Sequence, residues 1–150
     1  MIFKPDSIVV HHSLTADSQT VSWPAIRQYH IETMGMKDVA YHSGCELIAT
    51  GYEALLGRPW DEEGAHCKQN GMNSHSLGVC LVGNFDASPP PHEQMVVAVE
   101  RIIKPWMRLY SIPPGRIFFH REFAPYKSCP GAAFKMAYLG QYIPGVRPGI

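Results

Sequence analysis

The run SLGVCLVGNF, residues 76–85, carries no charge and is dominated by leucine, valine, cysteine and phenylalanine. It reads as a strand at the centre of a sheet. Shorter runs of the same character lie on either side of it in the chain. SIVVHHS (residues 7–13) reads as a buried strand that ends in two histidines, and RIFFH (116–120) as a strand that ends in a third. VAYHSGCELIA (39–49) reads as a further strand, with Gly44 marking a bulge or a close approach.

Helical patterns separate these runs. In SWPAIRQYHIETM (22–34), Ser22 is placed to cap a helix and Pro24 is tolerated in its first turn. Trp23, Ile26, Tyr29 or His30, and Met34 recur at helical spacing, and Gly35 stops the helix. The SPPP linker (88–91) leads into a long helix over 92–110, whose apolar positions are Met95, Val99, Ile102, Ile103, Trp106 and Tyr110. Pro105 should kink or split it. A short helix is expected over 132–142, an extended tail over 143–150, and mostly loop over 52–75. Strands alternating with helices imply an α/β sandwich around one central mixed sheet. With 150 residues and no internal repeat, the chain is expected to form one domain, 1–150, and to act as a monomer.

Composition excludes several classes of function. Lys+Arg and Asp+Glu balance at 13 each, so no basic surface points to nucleic acid. No apolar run reaches the ~20 residues of a membrane span. The first residues, MIFKPDSIVVHHS, lack the apolar core of a signal peptide, so synthesis in the cytoplasm is expected. Cys45, Cys67, Cys80 and Cys129 show no disulfide-framework spacing and read as thiols or metal ligands.

The stretch FFHREFAPYKSCPG (118–131) places His120 nine residues before Cys129, around a loop broken by prolines. Such a pair is either part of a metal site or a cysteine nucleophile with its base. Two histidines and a thiolate form a three-ligand set that leaves one position of a tetrahedral zinc open for water, the mark of a catalytic site. Adjacent strand residues point to opposite faces, so only one of His11 and His12 can join His120 and Cys129. The residues alone leave that choice open.

Four segments, in order, resemble the zinc-dependent N-acetylmuramoyl-L-alanine amidases of the phage lysozyme and peptidoglycan recognition protein type. They are IVVHHS; IRQYH with KDVAYH; GAHC with NSHSLGVCLVGNFD; and HREFAPYKSCPG. The resemblance covers residues 8–139. It implies a mixed sheet flanked by helices with zinc in a surface groove, and His11, His120 and Cys129 as the metal ligands. It selects His11 over His12 because the family's first ligand precedes one residue and then Ser or Thr. Tyr41 matches the catalytic tyrosine, and Lys127 a lysine that assists catalysis in some phage members. His42, His66 and Asn73 fall on motifs expected to line the substrate groove.

The chain departs from the family in three places. The loop from His120 to Cys129 is one residue longer, with Tyr126 the insertion. The segment ELIATGYEALL (46–56) replaces the usual hairpin with its charged turn. The loop between His66 and Asn73 is also longer. The implied activity is hydrolysis of the amide between N-acetylmuramic acid and L-alanine in peptidoglycan. A phage-type endolysin is expected, reaching the cell wall after release. A wall-recycling amidase, an injected antibacterial effector, a non-catalytic peptidoglycan-binding module and a cysteine peptidase are the alternatives.

Overall fold

In a computed structural model, which describes residues 2–15 and 22–150, five strands form one mixed sheet. They are β1 (Ser7–His12), β2 (Ser43–Ile48), β3 (Gly51–Leu56), β4 (Ser76–Leu81) and β5 (Ile117–Phe119). Their spatial order is β3-β2-β4-β1-β5. β4 pairs in parallel with β1 and with β2, β5 in parallel with β1, and only β2–β3 is antiparallel. The run read as the central strand is indeed the middle strand, buried at every position of β4. It stops at Leu81, short of Phe85, where the chain bends through Gly83.

Helix α1 (Trp23–Gln28) continues into a π-helical turn, Tyr29–Thr33, and ends where Gly35 takes a positive φ of 70°. Ser22 sits at its N-cap, but its hydroxyl makes no capping bond. The Glu46 carboxylate of β2 accepts the Trp23 N–H instead, at 2.6 Å. α2 (His92–Ala98), a π-helical turn (Val99–Ile103) and α3 (Lys104–Tyr110) form one run over the predicted long helix. The π-turn falls immediately before Pro105. There the Lys104 N–H bonds to the Val99 carbonyl, and the wider turn makes room for a residue that has no N–H to donate.

Two sequence expectations are corrected. Residues 46–56 do not replace a hairpin: β2 and β3 are a hairpin, joined by Ala49 and Thr50, with Ala49 at φ 57°. β3 falls in the stretch read as loop because it is an edge strand without clean alternation. Tyr52 and Ala54 pack toward the main core, Leu55 toward the opposite face, and Leu56 is exposed. The tail 143–150 is also not extended: the chain turns at 143–145 and Ile150 returns to accept the Met136 N–H, while the expected helix over 132–142 is the single turn α4 (Met136–Leu139). Gly44 proves to be a close approach, since a Cβ there would collide with the Trp23 indole.

The sheet has two unlike faces. Ile8, Val10, Leu77, Val79, Leu81, Ile117 and Phe119 pack against the long helix through Met95, Ile102 and Trp106. Val9, Cys80 and Val82 point to the other face, buried against Trp23, Ile26, Val39, Cys67 and Met72, with Phe118 there partly buried. This second face is where the functional side chains gather.

Candidate metal centre

His11 lies at the end of β1, on this second face by strand parity. His120 follows β5 directly and opens a short 3-10 turn, His120–Glu122. β1 and β5 are parallel neighbours, so both histidines emerge at the same sheet end, with ring centroids 4.6 Å apart. The loop after His120 is closed by an Arg121 N–H bond to the Cys129 carbonyl, 2.8 Å, which brings the loop's two ends together. The donor atoms of His11, His120 and Cys129 therefore lie within 4.8 Å of one another. Cys129 Sγ is 3.6 Å from His11 Nδ1. Nitrogen and sulfur ligands of a tetrahedral zinc are about 3.5 Å apart, so the trio fits such an ion in donor type and spacing.

His12 points to the opposite face, where its Nδ1 accepts the Phe85 N–H at 3.2 Å. Cys67, although beside His66 in sequence, stands outside the three-donor group. Cys45, Cys67 and Cys80 are buried and form no disulfide among the described residues.

The protonation pattern suits metal binding. Burial, with His66 as neighbour, holds the His11 imidazole well below its ordinary range. Burial and the Lys127 charge lower His120 to about 4. Both rings are thus neutral ligands at neutral pH. Burial pushes the Cys129 thiol up to about 12, so a thiolate there needs a cation beside it. A cysteine–histidine nucleophile would require the reverse, a lowered thiol facing a cationic imidazole.

The trio forms the floor of a groove of about 540 Å³ whose lining includes Leu14, Met34, Met36, Tyr126 and Lys127. Tyr41 also lines it, from a bend before β2 rather than from within the expected strand. Its ring centroid is 5.1 Å from that of His11, and burial raises its phenol well above the ordinary value. Lys127 reaches the groove. Tyr126 accepts a hydrogen bond from Gln69 Nε2, 2.7 Å, so the loop after His120 and the loop after His66 meet at the rim.

Three of the expected groove residues are engaged inside the protein. The ring nitrogens of His42 bond to the Gly78 N–H and the Glu62 carbonyl. Asn73 Oδ1 accepts the Cys67 N–H at 2.8 Å. His66 borders the groove but is buried, with both nitrogens held by His11 and Ser76. A contribution not singled out in the sequence comes from the tail. Arg147 pairs with Glu122 through both terminal guanidinium nitrogens, at 2.6 and 3.0 Å. Glu122 in turn accepts the Phe119 N–H at 2.6 Å, bracing the turn that carries His120. Only the three-dimensional return of the chain brings position 147 to position 122.

The chain is similar to known proteins in sequence and in fold. The N-acetylmuramoyl-L-alanine amidase family matches residues 3–132. The endolysin of Enterobacteria phage T3 is 42% identical over 143 residues, covering 89% of this chain and 87% of that protein. The endolysin of Enterobacteria phage K11 is 37% identical over 125 residues, covering 81% and 77%. The solved amidase LysC of Clostridium intestinale superposes with a TM-score of 0.77 at 24% identity, covering 93% of this chain and 85% of that one. Drosophila PGRP-LB superposes at 0.75 and 24%, covering 96% and 84%, so the fold is shared across both groups. By the length of the family match and by its phage relatives, the chain belongs to the N-acetylmuramoyl-L-alanine amidase family.

Proposed function

We propose that this amidase is a zinc-dependent endolysin of phage type, which cuts peptidoglycan between the lactyl group of N-acetylmuramic acid and the L-alanine of the stem peptide. The observation that carries the reading is the His11, His120 and Cys129 donor trio on the floor of an open groove. The endolysins it resembles favour the phage role, and the peptidoglycan recognition proteins sharing its fold favour the same class of polymer.

Zinc, when bound, would polarise the scissile carbonyl and bring its water to a pKa near about 7. The chain's own groups divide the rest of the work. His11 and His120 would supply neutral nitrogen donors, and Cys129 a sulfur donor whose thiol gives up its proton when the metal binds. Tyr41 holds its phenolic proton throughout the working pH range, because burial disfavours the phenolate. It therefore acts as a donor that orients the carbonyl or passes on a proton, not as a general base. Lys127 brings a positive charge to the groove beside Cys129, where it favours the developing oxyanion.

No helix among the described residues is long and apolar enough to cross a membrane. Release to the wall is the route the endolysins it resembles favour. Mass spectrometry of digests of purified muropeptides and intact sacculi tests the reading. Stem peptides with a free L-alanine amino group, and glycan chains without new reducing ends, are expected. New reducing ends would sink it. Binding of sacculi without any product would replace it with the recognition-module reading.

A further inference from the structure

We infer that His66 is a positioning residue that fixes the tautomer of His11, leaving Nδ1 of His11 as the atom that faces the metal. The hydrogen bonds allow one assignment. Ser76 Oγ donates its only proton to the Met72 carbonyl at 2.6 Å. Its remaining contact with His66 Nε2, at 3.5 Å, must therefore use the hydroxyl as acceptor. The Ser76 carbonyl, 3.3 Å from the same nitrogen, can only accept. Nε2 of His66 thus carries the proton, and Nδ1 carries the lone pair. His11 Nε2 lies 2.9 Å from that lone pair and must donate to it. His11 Nδ1 is left unprotonated, on the side where Cys129 Sγ stands 3.6 Å away.

The surroundings are built around this ring. A Cβ on Gly64 would lie 2.5 Å from His66 Cδ2, and a Cβ on Gly78 would lie 2.5 Å from its Cγ. Two glycines thus clear the space His66 fills. Gly78 is itself pinned, its N–H bonded to His42 Nδ1 at 2.9 Å. A ligand histidine held through its second nitrogen is the general device by which proteins orient a metal ligand. Here a second imidazole takes the part of the usual carboxylate or carbonyl, and a backbone carbonyl of β4 sets its direction.

The affinity part of the test rests on the zinc reading above; the tautomer part does not. Long-range proton–nitrogen spectra of the metal-free wild type should show His11 and His66 both protonated on Nε2. A proton on Nδ1 of either ring overturns the inference, whether or not the protein binds zinc. In chelator competition, His66→Leu should weaken zinc binding by about 10–100-fold, with the fold unchanged by circular dichroism. His66→Asn places a carboxamide oxygen where Nδ1 stood and should recover most of that loss. Zinc affinity equal to the wild type in both variants would also overturn it. A wild type that binds no zinc would instead sink the zinc reading, while the spectra still decide the role of His66.

Discussion

His11 and His12 are the same residue type, adjacent in one strand, yet the fold separates them completely. One joins the donor trio and the other caps the Phe85 amide across the sheet. His11→Ala should abolish zinc retention, whereas His12→Ala should keep about one zinc per chain, as read by elemental analysis of purified protein. Equal loss in both would remove the parity argument. Tyr41 offers a finer case. Its hydroxyl is absent from the donor trio, so Tyr41→Phe should keep the metal. A positioned proton donor is worth about 10²–10⁴-fold, and muropeptide turnover should fall by roughly that factor. An unchanged rate would reduce Tyr41 to packing beside His11 and Trp23.

At the scale of elements, the trio depends on how the chain after β5 is tied down. The His120–Glu122 turn is stitched to β5 by Glu122, and Glu122 is held by Arg147 from the C-terminal tail. Arg147 also donates to the Ile117 carbonyl and lies 4.4 Å over the Phe118 ring. Arg147→Ala would leave a part-buried carboxylate without its partner, at a cost of about 1–3 kcal/mol. A lower denaturant midpoint and faster zinc loss to a chelator are expected together. Lower stability with unchanged zinc loss would confine the tail to a general structural role. The long helix makes the complementary point. Pro105 is accommodated by a local π-turn, so the apolar stripe from Met95 to Trp106 stays on one face and the sheet it covers stays in register.

For the whole molecule, burying so many histidines has a consequence in acid. His42 is fully buried, and burial lowers it from 6.5 to about 4; His30 is also lowered by burial. Such a group is neutral in the folded chain but charged in the unfolded one between its two pKa values. Unfolding then takes up protons, so stability is complete above about pH 6.5 and falls as pH drops toward the folded value. His42 alone accounts for up to about 3 kcal/mol at the acid end. Denaturant midpoints of the metal-free protein should fall steadily from pH 7 to 5, above the range of ordinary carboxylates. A flat profile over that interval would show that these histidines are already accessible to protons in the folded state.

The sequence by itself determined the α/β class, the central strand and the long helix, because those depend on local apolar periodicity. Its motifs also determined the family, and the resemblance implied a ligand set with His120 and Cys129, while the residues themselves left His11 and His12 open. Strand β3 was not legible, since an edge strand with apolar residues on both faces carries no period-two signal. The roles of His66, Ser76 and Arg147 were not legible either. A hydrogen-bond partner 10, 25 or 55 residues away leaves no spacing to read. The tertiary structure decided which histidine faces the groove, where the loop after His120 aims Lys127, and which ring nitrogen of His11 is free. Each of these depends on directions of side chains that only packing across the sheet can set.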